Sequence, residues 1–175
     1  TKTRYVHQNT NHFFLRVDEG ENKFYRGDIS DIEFLKYDIV VISDYDKGFL
    51  TKEDIYNISS RHRCVFMDTK KELGSWCRDI KYIKINNSEF ERSKNLINEE
   101  LEKKIIVTLG KKGCRFAGIT YSVDKVEIKD LSGAGDTFLA GLVVGYSKTK
   151  SIEKSVIFAN ECATKVVQRR GMNIV

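Results

Sequence analysis

The chain has 175 residues, 41% of them hydrophobic and 31% charged, which suits one folded domain with its own core and excludes a disordered tail. A net charge of +5 comes from 30 basic and 25 acidic residues. The basic residues are scattered (Lys70–Lys71, Lys103–Lys104, Lys111–Lys112, Arg169–Arg170), whereas a nucleic-acid face needs a concentrated stripe, so no nucleic-acid partner is expected.

Residues 2–8 and 11–17 (KTRYVHQ, NHFFLRV) read as two short strands around Asn9-Thr10, a hairpin. Residues 38–43 (DIVVIS) form a continuous β-branched run, the mark of a strand buried on both faces. Thr51, with Asp54 behind it, makes a capping-box start for a helix running to about Arg61. Strands follow at 63–67 (RCVFM) and 82–85 (YIKI). Ser88 is read as the cap of a charged helix to about Lys103, ahead of a strand over 105–109 (IIVTL). Residues 113–118 and 121–127 suggest a strand pair turning at Ile119-Thr120. Two helices close the chain, Ala134 to about Lys148 and Ser151 to about Arg169. This alternation predicts an α/β fold of three layers: an open, mostly parallel sheet with helices on both faces. Ligands of such sheets sit at the carboxyl ends of the strands.

The longest uncharged apolar stretch, Phe138–Tyr146, is far shorter than the roughly 18 residues of a membrane span, and the opening TKTRYVHQNTNHFF has no apolar signal-peptide core. Cys64, Cys77, Cys114 and Cys162 lie far apart with no CxxC, as in the reduced thiols of a cytoplasmic protein. No membrane partner is expected. His7, His12 and His62 have no partners at useful spacing and read as surface or strand residues, while Trp76 and Tyr82 read as core.

The most informative segment runs from Asp130 to Phe138 (DLSGAGDTF), after a strand-like VEIK and at the start of an apolar helix. Small residues at Gly133, Ala134 and Gly135 let backbone N–H groups converge at a helix N-terminus, which favours an anion. Asp136, in the first turn, has an ordinary reading as a dipole-complementing acid, worth about 0.3–1 kcal/mol. Its chemical reading is phosphoryl transfer: the amides stabilise charge on the phosphate and the carboxylate accepts a proton from an attacking hydroxyl. The segment is neither GxxxxGK[ST] nor GxGxxG.

Five segments in order resemble the ribokinase-like, or PfkB-type, carbohydrate kinases. Asp130–Asp136 matches their D-T-x-G-A-G-D, with Leu131 in the usual Thr position. Ser43–Gly48 is similar to the SDYxKG of the heptose 7-phosphate kinases of ADP-heptose synthesis, and Asp68-Thr69-Lys70 to their DPK. Asn86–Glu89 resembles N-x-x-E, and Thr108–Gly113 resembles the T-x-G-x-x-G nucleotide loop. The resemblance implies transfer of the γ-phosphoryl of Mg·ATP to a hydroxyl of a sugar or sugar phosphate. Asp136 would be the base, and Gly133, Ala134 and Gly135 the anion hole. Asn86 and Glu89 would hold Mg²⁺ through water; their ordinary reading is a strand-end turn and a first-turn acid. Thr108, Gly110 and Gly113 would follow the nucleotide (otherwise a plain hairpin), Asn160 would line the adenine pocket (otherwise a surface helix residue), and Lys70 and Lys47 would meet phosphate charge (otherwise solvated turn lysines). Asp130 and Ser132 match positions that hold a monovalent cation, K⁺, in some relatives.

Ile85 replaces the family's proline and Thr69 the proline of DPK, both in a chain without proline; neither change removes a functional group. The resemblance makes residues 1–18 a lid-like hairpin and 19–175 the nucleotide-binding α/β domain. Such kinases are longer, and their amino-terminal half, which supplies most of the sugar site, has no counterpart here. A homodimer partner or another chain covering the exposed sheet edge is therefore expected. The alternative function is a non-catalytic nucleotide-binding or oligomeric module.

Overall fold

A computed structural model describes residues 2–8, 13–19 and 26–169. Strand β1 (Lys2–Val6) pairs antiparallel with β2 (Phe13–Asp18) in a separate two-stranded sheet, the expected hairpin; its turn at Asn9-Thr10 and His12 lie outside the described residues.

The main sheet contains β3 (Val40–Asp44), β4 (Val65–Thr69), β5 (Tyr82–Asn86), β6 (Ile105–Thr108), β7 (Cys114–Phe116) and β8 (Ile119–Tyr121), in that spatial order. The first four are parallel and the last two antiparallel. The helices are α1 (Lys52–Arg61), α2 (Asn87–Ser93), α3 (Glu99–Glu102), α4 (Ala134–Thr149) and α5 (Ile152–Val167). The expected α/β fold is present, with helices on both faces. Among the described residues no helix is long and apolar enough to cross a membrane.

Three expectations about boundaries need correction. The β7–β8 turn is Ala117-Gly118, with φ of 48° and 77°, the double positive φ of a tight two-residue hairpin; Ile119 and Thr120 instead pair with Phe116 and Arg115. Residues 122–128, including most of VEIK, form no strand; Lys129 and Asp130 donate instead to the Val167 carbonyl, tying this segment to the end of α5. Nor does Ser88 cap a long helix. Asn86 takes that place, and after Ser93 the chain tightens into a 3₁₀ turn (Lys94–Leu96) before Asn98 caps α3 through the Leu101 amide. Two side-chain caps twelve residues apart break the expected helix in two.

Alternation along the buried strands sends side chains into two cores. Val65, Met67, Ile83, Ile85 and Val107 pack with Ile55 and Ile58 of α1. Phe66 and Ile106 pack on the other side with Phe138, Leu139 and Leu142 of α4 and Val156 and Ala159 of α5. Helices α4 and α5 approach closely because they carry small residues at the contact: a Cβ on Gly141 would come 3.1 Å from the Ala159 Cα, and one on Gly145 3.0 Å from the Ser155 Cα.

Trp76 and Tyr82 are partly buried against these cores, as expected. His62 is not a surface residue. It is buried, with Nε2 2.8 Å from the Tyr37 carbonyl and Nδ1 accepting from the Cys64 amide at 3.2 Å. That geometry makes Nε2 the protonated nitrogen. All four cysteines are free, and burial pushes Cys77 and Cys114 up to about 12.

Candidate active site

The parallel strands end in polar residues on one side of the sheet: Asp44 on β3, Asp68 and Thr69 on β4, Asn86 on β5 and Thr108 on β6. The N-terminus of α4 arrives at the same end. Gly133 precedes it at φ 76°, a left-handed conformation that glycine adopts without strain, and no side chain caps the helix. Ala134 turns its amide to the Leu131 carbonyl at 3.3 Å. Among the described residues nothing accepts from the amides of Gly133, Gly135 and Asp136. Of the expected Gly133, Ala134 and Gly135, the Ala134 amide is therefore engaged within the loop.

Directly beneath lies Lys84, which is buried and was not singled out in the sequence. Alternation along β5 turns it onto the α4 face, where its Nζ bonds Asp68 Oδ2 at 2.5 Å. A Cβ on Gly135 would come 3.0 Å from that ammonium, so a residue without a side chain is what lets the loop rest on the charge. Asp68 Oδ1, also buried, has no hydrogen-bond partner among the described residues and lies 3.8 Å from Lys70 Nζ.

Lys70 Nζ bonds Glu89 Oε1 at 2.6 Å, and Glu89 Oε2 accepts from the Asn86 amide at 2.8 Å. Asn86 Oδ1 in turn accepts from the Glu89 amide at 2.9 Å, completing a reciprocal cap on α2. Burial works against the Lys70 charge, but the Glu89 bond and the charges of Asp68 and Glu89 outweigh it, and its pKa ends above the ordinary lysine value. Lys71 is held in the same way: burial opposes its charge, and Asp44 and Asp46, each 2.9 Å away, raise it overall. The Thr69 hydroxyl donates to Asp44 Oδ2 at 2.7 Å.

Asp136 is exposed at the rim of this cluster, and its Oδ1 accepts a hydrogen bond of 2.9 Å from the Tyr45 hydroxyl. That bond, followed by burial and the charges of Asp136 and Asp68, pushes the Tyr45 phenol up. A cavity of about 290 Å³ opens beside Tyr45, lined also by Ser43, Asp44, Lys47, Phe49 and Leu50.

The remaining candidates form a second group. Thr108 stands beside Asn86 in register and donates to the Ile85 carbonyl at 3.3 Å. Gly110 and Gly113 bracket a 3₁₀ turn with φ of 58° and 85°. A Cβ on Gly113 would fall 2.0 Å from the Tyr121 carbonyl oxygen, so close backbone packing alone demands glycine there. Asn160 is buried rather than on the surface, and donates to that same carbonyl at 2.9 Å. Asp130 accepts from the Ser132 amide at 2.8 Å, an Asx turn leading into the glycine loop.

Sequence reasoning missed Lys84, Lys71 and the role of Tyr45. A lysine between Ile83 and Ile85 in a buried strand was a usable signal for Lys84. Nothing local links Tyr45 to Asp136, which is 91 residues away.

A glycine-led, uncapped helix laid over a buried Lys–Asp pair, at the carboxyl ends of parallel strands, marks a ribokinase-like α/β protein. The chain belongs to the pfkB family of carbohydrate kinases, whose sequence profile matches residues 7–175. It is 32% identical to the bifunctional protein HldE of Nitratiruptor sp. over 188 aligned positions, covering 93% of this chain and 40% of that protein. With HldE of Helicobacter pylori it shares 27% identity, over 97% of this chain and 43% of that one. The chain thus spans well under half the length of these relatives. Its fold resembles Thermotoga maritima ribokinase with a TM-score of 0.71 at 21% identity, covering 97% of this chain and 63% of that one.

Proposed function

We propose that this chain provides the nucleotide site and catalytic base of an ATP-dependent sugar kinase. The γ-phosphoryl of Mg·ATP passes to a hydroxyl of a sugar phosphate, and the likeness to HldE favours a heptose 7-phosphate as acceptor. The observation that carries this reading is the start of α4: amides at Gly133, Gly135 and Asp136 that nothing among the described residues accepts, the buried Lys84 charge beneath, and a carboxylate exposed alongside.

In the transfer, the acceptor oxygen bonds to the γ-phosphorus while the bond to the β,γ-bridging oxygen breaks, and ADP leaves with that electron pair. Asp136 takes the acceptor proton. The three amides and Lys84 face the charge that develops on the equatorial oxygens, already oriented before the reaction. Lys70 meets phosphate charge from the Glu89 side. Mg²⁺ would be held at Glu89 and Asn86 through water, and its charge would balance the phosphates. Both Glu89 oxygens already accept, from the Lys70 ammonium and from the Asn86 amide, so Mg²⁺ would meet this pair through its water shell and not by direct ligation. The Asp130–Ser132 turn offers a carboxylate and a hydroxyl to K⁺. Thr108, Gly110, Gly113 and Asn160 would border the nucleoside. Such chemistry suits a cytoplasmic protein, and a second copy or partner chain along the β3 edge would complete the sugar pocket.

The test is ADP release from Mg·ATP against a panel of sugar phosphates that includes heptose 7-phosphates, with nucleotide affinity measured alongside. The expected result is acceptor-dependent ADP matched by phosphorylated sugar. Tight ATP binding with no ADP from any acceptor overturns it in favour of a non-catalytic nucleotide-binding module.

A further inference from the structure

Tyr45 stands immediately after β3, in a turn that the neighbouring loop builds. The Asp44 carboxylate accepts from the Asp46 amide at 3.2 Å, and is itself gripped by the Thr69 hydroxyl and the Lys71 ammonium. Asp46 takes φ 55° and Gly48 φ 80°, so the chain bends immediately after Tyr45. The consequence is a phenol about half exposed to solvent, reaching across the strand ends to the first turn of α4, where it donates to one Asp136 oxygen. An exposed carboxylate on a helix surface otherwise samples several rotamers, and only some of them face an acceptor in the cleft.

We propose that Tyr45 is a positioning residue for the base: its hydroxyl holds Asp136 Oδ1 and steadies the ionised carboxylate, leaving Oδ2 as the oxygen that receives the acceptor proton. This rests on the kinase reading above. Tyr45 also lines the cavity at the end of β3, so the residue that holds the carboxylate also forms a wall of the neighbouring space. Charge-assisted hydrogen bonds of this kind are worth about tenfold to a hundredfold in an equilibrium or a rate.

The experiment pairs a kinetic with a spectroscopic readout on the full chain. Tyr45→Phe keeps the ring and removes the donor. The expected result is a kcat lower by about tenfold to a hundredfold, with KM for ATP and the thermal midpoint unchanged; packing alone would not split kcat from KM in this way. In parallel, ¹³Cζ-tyrosine NMR follows ionisation of the phenol, with Tyr45→Phe assigning its signal. Asp136→Asn, which removes the anionic acceptor, should let Tyr45 ionise at lower pH than in the parent chain. A wild-type kcat in Tyr45→Phe, or a Tyr45 titration unmoved by Asp136→Asn, overturns the positioning role while leaving the kinase reading intact. Absence of transfer to any acceptor by the parent chain instead defeats the kinase reading, and this role with it.

Discussion

Helices α2 and α4 both begin at the carboxyl end of the sheet, and they begin differently. Helix α2 is closed by its own residues: Asn86 and Glu89 exchange backbone and side-chain hydrogen bonds, and Lys70 neutralises the acid. Helix α4 is led by a left-handed glycine and carries no side-chain cap, with a buried ammonium beneath its first turn. Thr51 and Asp54 close α1 much as Asn86 and Glu89 close α2, so the open end stands apart. A capped start stabilises the fold, whereas an uncapped start over buried positive charge keeps its donors for an anion from outside. Substitutions at the closed ends should therefore cost stability, and substitutions in the exposed loop of the open end should cost turnover, while the buried ion pair beneath it carries stability of its own.

The largest effect expected lies beneath the open end. Lys84→Met leaves the Asp68 carboxylate buried without its partner, and should destabilise the chain by about 3–5 kcal/mol in urea unfolding. Adding Asp68→Asn should recover most of that loss. A cost under about 1 kcal/mol for Lys84→Met alone would mean that the ion pair is well solvated, and would remove the charge from beneath the loop.

Next in size is Gly135→Ala. Alanine is favoured over glycine in a helix by up to about 1 kcal/mol, which offsets the crowding that a Cβ brings here, so thermal stability should change little. The new Cβ nevertheless crowds the Lys84 ammonium, and turnover should drop by about tenfold, roughly 1.4 kcal/mol of transition-state stabilisation. Equal losses of turnover and stability would erase the contrast between the two kinds of helix end.

Thr51→Ala supplies the opposite case. It should lower stability by about 1 kcal/mol through the lost cap, with acceptor-dependent ADP release unchanged. The smallest effect is a pH dependence at the same place. Hydrogen bonds from the Thr51 backbone and side chain, and then Arg26, hold the Asp54 carboxyl below the usual carboxylate range. A depressed folded-state value stabilises the fold above the unfolded carboxylate value of about 3.9 and is lost as pH falls through the folded value. Unfolding measured from neutral pH down to about pH 3 should therefore show a shallower acid decline in Thr51→Ala than in the parent.

How much of this was readable in the sequence varies with how local each cause is. The β-branched runs at 38–43 and 105–109 announce parallel strands, and Thr51 with Asp54 announces α1, because neighbouring residues alone determine those features. Contrary to expectation, β3 is not buried on both faces, since it is the edge strand and leaves Val41 exposed. The start of α2 was misread by two residues because Asn86, Asn87 and Ser88 can all cap a helix. The choice falls to the residue that ends β5 and has Glu89 three positions on. The β7–β8 turn was displaced because Ile119 and Thr120 read poorly as turn residues yet lay midway between two β-rich runs; Gly118, with its positive φ, was the better marker. At the site, the glycine loop and Asp136 were legible as a contiguous motif. Lys84 was marked only by its place between two isoleucines of a strand, since its partner helix is distant in sequence, and Tyr45 was not marked at all, since it acts across the width of the sheet.

The most direct test of the central claim is Asp136→Asn, with acceptor-dependent ADP release and Mg·ATP affinity measured on the same preparation. Loss of turnover by about 10²–10⁴-fold, the range for a positioned general base, with nucleotide affinity unchanged, is the result expected here. Turnover within a few-fold of the parent chain would contradict the account, for the proton would then be leaving the acceptor without Asp136.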